Sequence, residues 1–425
     1  MRNNICRTSA HSPGKVWCTV YLLLLLLGLT PAARAVHYQL VYVPVTISIN
    51  GKPVVIRRPV VRPVATPPGD TQPPAEANMP AWRKGIAVGQ WREIPGTAMS
   101  SAPIAVQTHP ELSYTGPKSK VIAWNGFAAD FRESSIYSAA SGGHMDYAGN
   151  EVDRLRLSDD APTWTEPRSS TAVKDITFNT SYYADGRPTS RHSYYGAWVN
   201  ELRNRVMLFA GAGWGLGHSP NALDGFNIAA NDWDAGGTYA LPGDQYEPLI
   251  GSAIVDQRST GDVYVFSNWV VNRWNNATNT WQRMIEYTPE VYGQYAAAAL
   301  DNKRNRILLL GGNGGDHAYY DLATNKIVEV PLTGSSAGIL LAGDGNGMVY
   351  DPLLDAYLLH TGDAGGTVYR INPQTFAVDI LPTIGGTSQP ATTNNVWRRF
   401  LYLPKLKGIV YVPTYFGNVW FLRTY

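Results

Sequence analysis

One local pattern repeats along most of this chain: a polar turn, a short apolar strand, then glycine. Its clearest copies are Asn204-Arg205-Val206-Met207-Leu208-Phe209-Ala210-Gly211 and Asn305-Arg306-Ile307-Leu308-Leu309-Leu310-Gly311-Gly312. Looser copies run from Ser135 to Gly143, Gly261 to Phe266, Ala356 to His360 and Gly408 to Val412. Further strands follow in a fixed order, such as Asn150 to Leu155 or Thr367 to Ile371, then an Asn/Asp turn and often a tryptophan: Trp164, Trp233 or Trp281. Units this short cannot bury their own apolar faces and must stack on their neighbours. Six copies at spacings of roughly 45–70 residues predict the four-stranded blades of a β-propeller.

The chain ends bear on the blade count. The last copy offers Trp397 to Leu403, Gly408 to Val412 and Asn418 to Leu422, which is one strand short of a blade. Gln90-Trp91-Arg92-Glu93-Ile94-Pro95 reads as an unattached outer strand that completes it, and closure in this way removes an exposed edge. The expectation is an all-β, six-bladed propeller over 86–425, closed by an N-terminal strand. Seven blades is the alternative, because residues 169–187 could hide irregular strands.

Gly142-Gly143, then Asn150-Glu151-Val152, then Trp164 resembles the kelch repeat, a double glycine followed by a strand and a spaced tryptophan. The likeness extends loosely over 86–425. It implies the propeller fold of the superfamily that includes the galactose oxidase central domain, and it implies no shared reaction.

Ahead of the repeats, basic Arg2, Arg7 and Lys15 precede the apolar run Val16–Leu29, then Pro31 and Ala33-Arg34-Ala35. This reads as an export signal over 1–35. Its core of about fourteen apolar residues is short for a membrane span, so no stable span is expected after cleavage, and the compartment would be periplasmic or extracellular. Both cysteines, Cys6 and Cys18, lie inside it. The mature chain would carry no disulfide and no thiolate, which removes the crosslinked cysteine that galactose-oxidase-type copper radical chemistry needs. Residues 36–64 read as a β-hairpin around Asn50-Gly51, and 65–85, rich in proline, as a linker. A net charge of +2 excludes the basic stripe of a nucleic-acid binder.

Propeller topology then sorts the side chains. The loop leading into a first strand and the loop joining second to third strand share one face. His144, Trp214, His218, Trp269, His317 and His360 fall on or beside second-to-third loops, while Arg191, His192, Tyr194 and Arg398 precede or open first strands. Aromatic planes mixed with His and Arg suit sugar rings, and a guanidinium fork suits a carboxylate. The reading is a monomeric, secreted propeller that recognises or processes carbohydrate on this face. A polysaccharide lyase would draw its base and acid from His192 with Tyr194 or Tyr195, and use Arg191 or Arg398 as the cation that stabilises the enolate-like charge, similar in fold and residue types to propeller lyases. A divalent metal on several imidazoles and a non-catalytic scaffold for a protein ligand are the other options. For any single histidine, turn or blade packing is the plainer role.

Overall fold

The structure, a computed structural model, describes residues 38–49, 52–63, 78–103, 112–220, 222–242, 250–267, 270–285, 294–312, 317–340 and 343–425. Contacts divide the chain into two units, 1–66 and 67–425. In the first, Tyr38–Ile49 pairs antiparallel with Lys52–Pro63, with Ile49 opposite Lys52. With two strands both are edges, which is where Pro59 and Pro63 are tolerated. The expected signal, the Asn50-Gly51 turn and most of the expected linker lie outside the described residues.

The second unit is a six-bladed β-propeller. Its blades are four-stranded antiparallel sheets whose first strands are Ala128–Asp130, Ala197–Asn200, Ala253–Gln257, Ala297–Asp301, Gly347–Asp351 and Phe400–Leu403. In blade six the strands Phe400–Leu403, Gly408–Tyr411 and Trp420–Arg423 are completed by Trp91–Glu93, with Trp91 opposite Leu422. Residues 169–187 add no blade. They carry a short helical turn, Val173–Asp175.

The second strands explain the repeat. Each is mainly apolar because both of its faces are buried, and successive side chains turn to opposite neighbours. Val206 and Leu208 of blade two pack with Tyr137 of blade one, while Met207 and Phe209 pack with Val263 and Val265 of blade three. Ile307 and Leu309 of blade four face Phe266 of blade three, while Leu308 and Leu310 face Tyr357 and Leu359 of blade five. Ile409 of blade six meets Leu358 of blade five, and Val410 meets Ile136 of blade one. Every joint between blades is therefore a separate hydrophobic cluster.

The outer tryptophans cover those joints, as a large amphipathic ring can. Trp281 of blade three lies 4.9 Å from Phe209 of blade two and donates to the Ala240 carbonyl. Trp91, in blade six, donates to Gly366 beside blade five. The body also begins earlier than the boundary expected at 86. Met79 and Arg83 are buried, and Arg83 Nε donates to the Leu406 carbonyl at 2.8 Å.

Candidate functional site

Just ahead of each of the six first strands, on one face of the propeller, stands a residue with positive φ: Trp124, Tyr194, Gly251, Tyr295, Gly345 and Trp397. For bulky side chains such a conformation is strained and is held only by the surrounding structure. Backbone hydrogen bonds supply that hold. Tyr194 N–H donates to the Trp124 carbonyl, Tyr295 to Gly251, Gly345 to Tyr295 and Trp397 to Gly345, all at 2.7–2.8 Å. The bonds tie blade one to blade two, and blades three to six in series, as two arcs of a belt around the axis. Large and small members interlock, since a side chain on Gly345 would meet Trp397, and one on Gly251 would meet Tyr295.

The aromatic members converge. Trp397 packs edge-on against Tyr194 and Tyr195, at 4.9 and 5.1 Å, and stands 5.8 Å from Tyr295. Trp397 and Tyr195 are buried and close this mouth of the axial channel. Tyr194 continues the cluster outward to His192, with ring centres 6.1 Å apart.

His192 is the chemical centre of the face. It does not open the first strand of blade two, as expected. Arg191–His192 forms its own two-residue strand, paired with Ala212–Gly213 from the second-to-third loop of blade two. Close approach of the double glycine fixes it in place, because a side chain on Gly143 would strike the His192 amide. Gly142 N–H donates to the Arg191 carbonyl at 3.1 Å, and Ser193 N–H donates to Asn125 Oδ1 at 2.7 Å.

The imidazole Nε2 lies 2.8 Å from Asp146 Oδ2, and Thr115 Oγ donates to the other oxygen of Asp146. The indole of Trp124 and the ring of His144 lie 5.1 and 6.0 Å from His192. Burial lowers the His192 pKa against the opposing pull of Asp146. Burial alone would raise the Asp146 pKa, but the His192 and Thr115 hydrogen bonds outweigh it and hold the carboxyl below its ordinary range. Both directions describe a neutral imidazole donating from Nε2 to an ionised Asp146. Its Nδ1 lone pair makes no hydrogen bond among the described residues and can accept a proton or a hydroxyl.

The remaining sequence-expected residues disperse. Arg191 points away from His192, as strand alternation requires, and is fully enclosed in an ion pair with Asp224 at 2.9 Å. Its charge is therefore not brought to His192, contrary to the role expected of it. Trp214 is buried edge-on against Phe178, so it offers no ring to a ligand. His360 is buried between blades five and six, 4.5 Å from Tyr411 and bonded to Gln389, and burial lowers its pKa to about 4. Buried His317 accepts the Gly311 N–H through Nδ1. His218 is exposed and bonds the neighbouring Ser219 carbonyl. Arg398 reaches down the axis to Asp256 of blade three, at 2.7 Å. Trp269 lies outside the described residues. The face thus gathers His144, His192 and Tyr194 but neither expected arginine. Among the described residues no group of three or more His, Cys, Asp or Glu is arranged to hold a metal ion.

The belt itself went unread in the sequence, although an aromatic or glycine residue two to four positions before each first strand would have marked it.

No protein-family model matches this chain, and no curated protein matches it. Solved structures do. The structure of YjhT is 11% identical with a TM-score of 0.47, covering 72% of this chain and 95% of that one. YCF48 bound to D1 peptide is 12% identical with a TM-score of 0.39, covering 82% and 98%. A chain of the mitotic checkpoint complex is 12% identical with a TM-score of 0.44, covering 84% and 97%. Likeness at this level says nothing of function, which rests on the site alone.

Proposed function

We propose that this kelch-like propeller recognises carbohydrate on the face of its lead-in loops, with the His192–Asp146 pair addressing sugar hydroxyls and Trp124 bearing the ring. The observation that carries the reading is the juxtaposition of a half-buried indole, a neutral imidazole with a free Nδ1, and an ionised carboxylate that orients it. A sugar ring offers an apolar face and hydroxyl edges, and this set matches both. His192 oriented by Asp146 is also a competent general base, so processing of the bound glycan is the stronger form of the proposal. The uronate-lyase form loses support, since Arg191 is committed to Asp224 and Arg398 to Asp256.

The test is calorimetric titration of the mature chain with neutral and acidic oligosaccharides, with product analysis of the same mixtures. Trp124→Ala should weaken binding about thirtyfold, the effect of truncating a central aromatic anchor. His192→Ala should abolish any turnover with a smaller loss of affinity. Affinity indifferent to Trp124 would refute the proposal.

A further inference from the structure

Beneath the aromatic plug, the propeller axis is a well of about 490 Å³ walled by the first strands. Trp397 and Tyr195 form its floor, while Ser259, Asn302, Asn305 and Pro352 stand at the opposite end, where they are exposed on the short first-to-second turns. It therefore opens on the face away from His192. Its volume falls in the range of small-molecule sites.

The charges in it are balanced in place. Arg398, from blade six, crosses the axis to Asp256 of blade three at 2.7 Å, and the same carboxylate lies 3.6 Å from Arg258. Arg258 is held in turn by Glu201 at 2.8 Å and lies against the face of Phe131. Burial raises the Asp256 pKa, but Arg398 and Arg258 outweigh it and keep the carboxyl ionised below its ordinary range. Two guanidiniums thus meet two carboxylates, and a ligand carboxylate or phosphate would have to displace a buried partner to gain either cation, at the cost of exposing a desolvated charge. A purely apolar ligand fits no better, since it would strip water from Asp256 and from the rim amides. The side chains of Asn302 and Asn305 have no partner among the described residues.

We infer that this well is a second binding site, specific for a neutral polyhydroxylated ligand of mono- to disaccharide size. Its hydroxyls would exchange hydrogen bonds with Asp256, Arg398 and the two rim amides. Such a ligand needs many donors and acceptors but no net charge, and that is what paired charges and amides provide. The site is independent of the lead-in face, and the plug of Trp397 separates the two.

Titration with glucose, galactose, cellobiose and lactose, with glucuronate and inorganic phosphate as charged controls, tests this on the mature chain. Asn302→Trp at the exposed rim should obstruct the well and weaken binding of a neutral sugar about tenfold or more. Asn302→Ala, which removes one neutral hydrogen bond, should weaken it about threefold to tenfold. In both variants an unchanged unfolding midpoint confirms folding, and Trp124→Ala should leave this binding within about twofold of the parent. The inference is overturned if no neutral sugar binds. It is equally overturned if the charged controls bind more tightly, or if affinity follows Trp124 and ignores Asn302. Loss with Trp124 alone would support the lead-in site while removing this one.

Discussion

Replacing Gly345 by alanine tests whether the belt is held by close packing or by backbone geometry alone. Gly345 has φ of +62°, and alanine in the left-handed region costs about 1–2 kcal/mol. Reduced freedom of the unfolded chain offsets about 0.4–1 kcal/mol of that. The new methyl would then lie 2.7 Å from Asn395 Cβ and 2.8 Å from Trp397 Cζ2. Neither can retreat easily, because Trp397 is 1% exposed and wedged between Tyr194 and Tyr195. Overpacking of this kind adds about 1–3 kcal/mol, so the net loss should be about 2–4 kcal/mol. Gly85 is the control. Its φ is +71° and a methyl there would meet nothing within 4 Å, so its loss should stay below about 1.5 kcal/mol. Urea unfolding followed by tryptophan fluorescence and circular dichroism gives both values, provided the slope is unchanged. Equal losses at the two positions would refute interlocking of glycine and indole as the basis of the belt.

Two further perturbations probe the buried polar groups. His360 is neutral in the fold with a pKa of about 4, against an ordinary 6.5. The unfolded chain therefore binds its proton first, and stability should fall by about 2–3 kcal/mol as pH drops from 6.5 toward 4. His360→Phe should remove that share of the acid sensitivity, and identical pH profiles for variant and parent would contradict it. Asp224→Ala should cost about 3–5 kcal/mol by stranding the enclosed Arg191, whereas Arg191→Met with Asp224→Leu should recover most of that loss. If the double variant folds but loses glycan binding, Arg191 has a role at the site that its burial denies.

The sequence was most informative where a residue's neighbours are dictated by periodicity. Apolar runs in second strands such as Ile307–Leu310 require two buried faces, which only a neighbour on each side can supply. Repeats of that kind, with the spare strand around Trp91, led to six blades and to the closure. The site was less legible. Topology alone brings loops to one face, but a loop position does not say which way its side chain turns. His360 and Trp214 turned into the packing between strands and loops, and Arg191 turned away from its neighbour His192 because adjacent residues of even a two-residue strand point oppositely. The sequence by itself determined the repeating blades, because burial periodicity is local. Only the tertiary structure decided that His192 meets Asp146 across 46 residues, that Arg398 pairs with Asp256 across the axis, and that lead-in loops of neighbouring blades bond to one another. Those pairings depend on how the ring of blades closes, and no local pattern encodes that distance.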